Sequence, residues 1–202
     1  MALQNSAPPL ILASASPRRR ELLEQAGVSF TVIPSNADEE VLVGEAPAKY
    51  ALRVAKAKAQ DVANTQPGHW VLGADTIVVI DDHILGKPKD ATDGDRMLHL
   101  LSGRLHQVMT AFVLVSANGQ EAARQIVATT VTFKPLSDEQ IQEYLATGEP
   151  FDKAGAYAVQ GIGAALVEKV EGSYTNVVGL PIDEVLEVLR SAGLYHQDTP
   201  PS

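Results

Sequence analysis

The stretch W-V-L-G-A-D-T-I-V-V-I, Trp70–Ile80, decides the fold of this 202-residue chain. It is rich in valine and isoleucine and is interrupted mainly by Gly73, Asp75 and Thr76. A nearly continuous apolar run of this length, rich in β-branched residues, is typical of a strand that is buried on both faces. The stretch therefore predicts a fully buried strand that carries one ionisable side chain.

The residues before this strand predict two strands and two helices. Ser16 and Pro17 have the residue types of a helix N-cap and first helical position, and Gly27 suits the end of that helix. Pro47 begins a second helix, which Pro67 and Gly68 interrupt. The predicted elements are a strand at 10–13, a helix at 17–27, a strand at 30–33 and a helix from 47 to about 63.

The residues after this strand predict further strands and helices that alternate along the chain. Asp81 and Asp82 predict a turn, Asn118 and Gly119 the turn of an antiparallel hairpin, and Ser137 the start of a helix through a capping box with Gln140. The predicted elements are a short return at 84–85, a helix at about 92–101, strands at 108–115 and 126–133, a helix from 137 to 148, a strand at 164–170 and a helix from 181 to 193.

Helices that alternate with strands, including a hairpin, predict an α/β or α+β fold with a mixed sheet flanked by helices. No internal repeat or long linker divides the chain, so we expect a single domain over residues 10–195. The ends at 1–9 and 196–202 are polar or rich in proline, and we expect both to be disordered.

Composition excludes several classes of function. The chain has 16 Lys and Arg against 25 Asp and Glu, a net charge of −9, which disfavours nucleic acid and anionic membranes as partners. It has no cysteine, which excludes thiolate catalysis and cysteine-bound metals. We find no apolar run of about 18 residues and no basic, apolar leader, so we expect a cytoplasmic protein.

The segment S-A-S-P-R-R-R, residues 14–20, lies where a strand turns into a helix. A helix N-terminus carries free N–H groups and partial positive charge, so arginines in its first turn are unfavourable unless an anion binds there. Ser14, Arg18 and Arg19 are therefore candidate ligands for a phosphate. The alternative is a capped surface helix with solvated arginines.

Two further residues stand in apolar surroundings. Lys58 falls on the apolar stripe of the second helix, where it must either extend along the edge of the core or meet a buried anion. Asp75 needs a compensating cation, such as Lys58 or a metal, unless it is a satisfied structural residue. Thr76 follows it on the opposite side of the strand.

Lys87 lies in L-G-K-P, where Pro88 favours an extended backbone that directs the lysine from a loop. The segment does not match a phosphate loop, and Gly161-Ile162-Gly163 does not match a dinucleotide-binding motif and is expected to form a turn. Arg18, Arg19, Lys58 and Lys87 supply positive charge, and Glu39 and Asp75 supply carboxylates. Bases for phosphates together with acids for a metal indicate phosphoryl chemistry.

Four segments follow one another along the chain: S-A-S-P-R-R at 14–19, G-A-D-T at 73–76, L-G-K-P at 85–88 and D-K-A-G-A-Y-A-V-Q-G at 152–161. In this order and spacing they resemble the Maf family of nucleoside triphosphate pyrophosphatases. The resemblance implies an α/β fold with a central cleft, similar to inosine triphosphate pyrophosphatases. It also implies hydrolysis of a nucleoside triphosphate to monophosphate and pyrophosphate with Mg²⁺ or Mn²⁺. The last segment is similar to the branch that acts on dTTP and UTP, apart from Ala158, where that branch often has glycine.

The same resemblance implies the roles of single residues. Asp75 would accept the proton of the attacking water, Glu39 and Asp75 would hold the metal, and Lys58 would balance charge. Ser14, Arg18, Arg19 and Lys87 would bind the triphosphate, and Arg18, Thr76 and Gln160 would surround the base. The resemblance also suggests a homodimer with a house-cleaning role in the nucleotide pool.

Three other interpretations stay open at this point. The chain could be a nucleotide-binding regulator of cell division or septum formation in which turnover is incidental. It could be a pyrophosphatase of the 7-methyl-GTP type, or a structural α/β domain whose charged residues are solvated. Pyrophosphate release from a panel of nucleotides separates an enzyme from a regulator and identifies the preferred base, and failure to bind any triphosphate would favour the structural domain.

Overall fold

The computed structural model describes residues 10–196. The predicted disorder at 1–9 and over most of the predicted tail, 197–202, lies outside the described residues; His196 is described and exposed. Within 10–196, none of the helices combines the length and the apolar character needed to cross a membrane.

Seven strands and six α-helices form the described structure. The strands are β1 Leu10–Leu12, β2 Phe30–Val32, β3 Trp70–Ile80, β4 His83–Leu85, β5 Leu105–Val115, β6 Glu121–Phe133 and β7 Val167–Glu171. The helices are α1 Pro17–Gln25, α2 Pro47–Thr65, α3 Ala91–Leu101, α4 Asp138–Ala146, α5 Tyr174–Val178 and α6 Ile182–Ser191. Three short 3₁₀ helices lie at Glu149–Asp152, Ala154–Ala156 and Gly161–Leu166.

One mixed sheet contains all seven strands in the order β2-β1-β3-β5-β6-β7, with β4 paired to β3 outside this path. Strand β1 is parallel to β2 and β3, and the other pairs are antiparallel. The predicted α/β fold is therefore confirmed, as are the bounds of β3 and the hairpin around Gly119. The turn between β3 and β4 holds Asp81 and Asp82 at φ 49° and 61°, the left-handed geometry of a tight hairpin.

One edge of β3 is paired with other strands at its two ends and unpaired in its middle. Strand β1 pairs with residues 70–72 of β3, and β4 pairs with residues 78–80 on the same edge. Among residues 10–196, no strand pairs with this edge at 73–77, whereas the opposite edge pairs with β5 from Val71 to Val79. Asp75 and Thr76 lie at this gap, so side chains from both faces of β3 have access to the same space.

Helices cover both faces of the sheet. The apolar stripe of α2 packs on one face against Val71, Ile77 and Val113. On the other face, α1 and α6 pack around Leu72, whereas α3 and α4 pack around Val78. Side chains alternate along a strand, so Thr76 lies between these last two groups and Asp75 lies on the face of α2.

The predicted strand at 164–170 is wrong in its first half. Residues Gly161–Leu166 form a 3₁₀ helix, and the strand begins at Val167. The carboxylate of Glu149 accepts hydrogen bonds from the backbone N–H groups of Ile162 and Gly163 at 3.1 and 2.8 Å. A side chain distant in sequence therefore holds the first turn of this 3₁₀ helix, and the helix occupies the residues predicted to begin the strand.

Gly73 allows α2 to lie directly on β3. A Cβ atom at this position would lie 2.5 Å from the carbonyl oxygen of Ala55 and 2.6 Å from the backbone nitrogen of Ala59. We expect Gly73→Ala to lower the free energy of unfolding by about 1–3 kcal/mol, because backbone atoms of α2 would have to move. Urea titration measures this change. Gly86→Ala is the control, because its Cβ would meet no atom within 4 Å, and an equal loss in both variants would contradict the packing argument.

Candidate active site

A cavity of about 440 Å³ opens at the gap in the edge of β3, a volume within the usual range for small-ligand sites. All nine residues predicted for the site line it, from six separate parts of the chain. They are Ser14, Arg18, Arg19, Glu39, Lys58, Asp75, Thr76, Lys87 and Gln160. Asp38 and Glu40, the carboxylates on either side of Glu39 in the sequence, are not among its lining residues.

Arg19 is buried and held in a fixed orientation at the cavity wall. Its guanidinium donates hydrogen bonds to the carbonyl oxygen of Gly179 at 2.8 Å, to Thr76 Oγ1 at 3.0 Å and to Ser14 Oγ at 3.2 Å. Burial lowers the pKa of Arg19, although the negative charges of Asp75 and Glu39 oppose that effect. Within residues 10–196, none of these hydrogen bonds goes to a carboxylate, so the cation can still accept an anionic ligand.

The N-terminus of α1 adds further groups that attract anions. Ser16 is at the N-cap position, yet its side chain makes no capping hydrogen bond, which leaves N–H groups of the first turn for a ligand. Arg18 lines the cavity and has Asp152 at 3.7 Å, whereas Arg20 lies outside and pairs with Glu24. Two of the three consecutive arginines therefore line the cavity.

Lys58 joins the two predicted catalytic carboxylates. Its Nζ atom lies 2.8 Å from Asp75 Oδ1 and 2.8 Å from Glu39 Oε1. The side chains of Lys58 and Asp75 are 11% and 8% exposed, so this pair is largely removed from water, whereas Glu39 is 49% exposed. Of the two alternatives for Lys58, the structure therefore has the one in which the lysine meets a buried anion.

Glu39 has an electrostatic environment that favours its ionised form. Burial raises its pKa, but the hydrogen bond and charge of Lys58, with the charges of Lys87 and Arg19, outweigh that effect and leave the pKa below its usual range. Lys87 is exposed, and its charge acts on Glu39 across the cavity. The cavity therefore carries ionised groups of both signs.

The carboxylates offer free oxygen atoms for a divalent cation. Asp75 Oδ2 is buried and has no hydrogen-bond partner among residues 10–196. The described chain contains no cluster of three or more His, Asp or Glu side chains suited to a metal. Two carboxylates still fit Mg²⁺, which commonly binds one or two protein carboxylates together with water and substrate phosphates.

A buried polar network fixes Thr76. Its hydroxyl lies 2.9 Å from Thr110 Oγ1, and the Thr110 hydroxyl donates to the carbonyl oxygen of Asn176 at 3.0 Å. The Asn176 amide donates to Thr129 Oγ1 and to the carbonyl oxygen of Val108. Asn176 belongs to helix α5, which the sequence did not predict. Through Asn176, this helix is joined by hydrogen bonds to Thr76 and to strands β5 and β6.

Residues 152–154 and 157–160 also line the cavity. Tyr157 lines the cavity and lies 2.7 Å from Nε2 of the buried His106, and both rings pack edge to face on Phe133. Burial lowers the pKa of His106 to about 4, so its ring is neutral near pH 7. Beyond Tyr157, Ala158 is buried and Gln160 is exposed at the cavity.

Sequence reasoning missed several residues at this site. Tyr50, Asp152 and Lys153 line the cavity, and the carbonyl oxygen of Gly179 orients Arg19. Arg53 lies outside the cavity lining and makes a bidentate ion pair with Glu45. Asp152 and Lys153 lie in the D-K-A-G-A-Y segment, which was the available signal for them. No local pattern indicated the contacts of Tyr50, Arg53 or Gly179.

Comparison with known proteins identifies the family of the chain and several relatives. A family model described as Maf-like protein matches residues 9–192. The chain is 54% identical over 184 residues to a dTTP/UTP pyrophosphatase of Geobacter sp. (strain M21), which covers 91% of this chain and 95% of that protein. It is also 54% identical over 190 residues to a dTTP/UTP pyrophosphatase of Anaeromyxobacter dehalogenans (strain 2CP-1), covering 93% and 95%.

Among solved structures, the chain is similar to one from Mycobacterium abscessus titled nucleoside-triphosphatase / dITP/XTP pyrophosphatase. That similarity has a TM-score of 0.45 and 15% sequence identity and covers 92% of this chain and 95% of that chain.

Proposed function

The chain belongs to the Maf family, and on that premise we propose that it is a nucleoside triphosphate pyrophosphatase that hydrolyses dTTP and UTP. The products are the nucleoside monophosphate and pyrophosphate. Modified pyrimidine triphosphates are further substrates, and the enzyme has a house-cleaning role in the nucleotide pool. Relatives at 54% identity over nearly the whole chain support this substrate class.

The observation that carries the proposal is the charge arrangement of one cavity. Arg18, Arg19 and Lys87 line the same 440 Å³ space as the paired carboxylates Asp75 and Glu39. A triphosphate carries nearly four negative charges, and fixed cations that face it stabilise a leaving pyrophosphate without reorganising during the reaction. In a chain of net charge −9, such a local set of cations is the feature that favours an anionic substrate.

The reaction can be assigned to these residues. Water attacks the α-phosphorus, the bond between that phosphorus and the α–β bridging oxygen breaks, and pyrophosphate leaves with the bond electrons. Asp75 accepts the proton of the attacking water. Lys58 Nζ, 2.8 Å from Asp75 Oδ1, stabilises the ionised carboxylate that this step requires. Oδ2 has no other partner among residues 10–196, which supports its role as proton acceptor or metal ligand.

Glu39 and Asp75 would hold Mg²⁺ or Mn²⁺, a cation that commonly uses one or two protein carboxylates. When bound, the cation adds positive charge at the phosphate oxygens. Arg19 and Ser14, already joined by a hydrogen bond, bind phosphate oxygens beside the N-terminus of α1. Arg18, Thr76 and Gln160 surround the base, where the amide of Gln160 can donate and accept hydrogen bonds with a pyrimidine edge.

Pyrophosphate release from a nucleotide panel with Mg²⁺ tests the proposal. We expect dTTP and UTP to be turned over most efficiently, and pyrophosphate rather than orthophosphate to be released. A preference for 7-methyl-GTP would contradict the proposed substrate branch. Tight triphosphate binding without release would favour a regulator, and failure to bind any triphosphate would favour a structural domain.

The assembly and location of the enzyme stay predictions. We propose a homodimer that acts in the cytoplasm on a free nucleotide, without a nucleic acid or membrane partner. Light scattering at assay concentration measures the oligomeric state directly.

A further inference from the structure

The loop that carries Glu39 has no regular structure of its own. It connects β2, which ends at Val32, to α2, which begins at Pro47, and no helix or strand lies within it. A carboxylate that must act at a defined place requires support from residues whose own conformation is fixed. The first turns of α2 provide that support.

Two residues of α2 bind the loop backbone at Glu39 and at the residue that follows it. The Tyr50 hydroxyl donates to the carbonyl oxygen of Glu39 at 2.8 Å, and Arg53 Nη2 donates to the carbonyl oxygen of Glu40 at 2.8 Å. Tyr50 and Arg53 are three residues apart and share a helix face, and the guanidinium lies 5.4 Å from the centroid of the Tyr50 ring.

Arg53 also holds the C-terminal end of the loop, just before α2. Its Nε and Nη2 atoms each lie 2.7 Å from a carboxylate oxygen of Glu45, a bidentate pair. The Glu45 side chain is only 10% exposed, and its Oε2 atom also accepts from the backbone N–H of Leu42 at 3.4 Å. Such a planar fork fixes direction as well as distance, which a lysine at this position could not do.

We propose that Arg53 is a positioning residue for hydrolysis, which holds residues 39–45 against α2 so that the Glu39 carboxylate stays beside Lys58. This inference rests on the proposed function, because it assigns to Glu39 the role given above. Arg53 does not line the cavity and is not placed to touch the substrate. Its effect is transmitted through the backbone of Glu39 and Glu40.

Arg53→Gln tests this proposal. We expect kcat for UTP to fall between about 10- and 100-fold with KM changed less than about threefold, because the loss is one of placement rather than of substrate affinity. We also expect faster amide hydrogen exchange within residues 36–46, a measurement that does not depend on turnover. Glu45→Gln removes the other half of the ion pair and should reproduce both changes.

Arg104→Gln is the matched control. Arg104 binds both carboxylate oxygens of Asp81 at 2.8 and 2.7 Å, and neither residue lines the cavity. If Arg53→Gln alters kcat and loop exchange no more than Arg104→Gln does, the proposal is wrong. It is also wrong if exchange rises while kcat stays at the wild-type value. Absence of turnover in the wild-type protein would instead overturn the proposed function itself.

Discussion

Asp75→Asn is expected to lower kcat for UTP by roughly 10²–10⁴-fold, the usual contribution of a general base. The substitution keeps the shape of the side chain but removes its capacity to accept a proton at neutral pH. KM should change little, because Arg18, Arg19 and Lys87 are untouched and the lost interaction belongs to the transition state. Steady-state kinetics of pyrophosphate release, with calorimetric binding of a non-hydrolysable triphosphate, measures both quantities.

Asp90→Asn is the control for this variant. Asp90 caps α3 through the backbone N–H of Asp93 and lies outside the cavity lining, and asparagine is an equally good cap. The Asp90→Asn substitution also removes one carboxylate from the protein, but it should leave turnover unchanged. Pyrophosphate release by Asp75→Asn at the wild-type rate would remove Asp75 from its assigned role.

Lys58→Met is expected to combine a large loss of stability with a loss of turnover. Methionine has a similar length but leaves the buried Asp75 without its cation. Removing one partner of a buried ion pair typically costs about 3–5 kcal/mol, and the partial exposure of Glu39 places this case near the lower value. For a chain of this size, that corresponds to a fall in Tm of about 2–4 °C per kcal/mol.

The double variant Lys58→Met/Asp75→Asn separates the two effects. With neither charge present, we expect most of the lost stability to return, while turnover stays as low as in Asp75→Asn. Urea unfolding of the wild type, both single variants and the double variant gives the coupling energy between the residues. A double variant as unstable as the sum of the single changes would contradict a direct pair.

Much of the fold could be predicted because its signals are local. The β-branched run of β3, the Asn118-Gly119 turn and the Ser137–Gln140 capping box each specify structure within a few residues. The sequence-based predictions fail where contacts between residues distant in the sequence determine the local structure. Glu149 organises Gly161–Leu166 as a 3₁₀ helix, and α5 begins where Ser173 accepts from the backbone N–H of Asn176 after a short glycine-containing turn.

The chemical types at the site could also be predicted, because arginines in a helix first turn and an aspartate in an apolar strand both need an explanation. Their arrangement could not. Asp75 and Thr76 face opposite sides of β3 and meet one cavity only because β1 and β4 leave the strand edge open between them. The contacts of Arg53 depend on the path of a loop without regular structure, which no periodicity describes.

The central claim is that the cations and the two carboxylates act together on one triphosphate. A crystal structure with Mg²⁺ and α,β-imido-UTP, a substrate analogue whose α–β bridge resists hydrolysis, tests it most directly. The account predicts phosphate oxygens beside Arg18, Arg19 and Lys87, the α-phosphorus facing the Asp75 carboxylate and the uracil near Gln160. A nucleotide bound at another surface, or one whose α-phosphate points away from Asp75, would contradict the account.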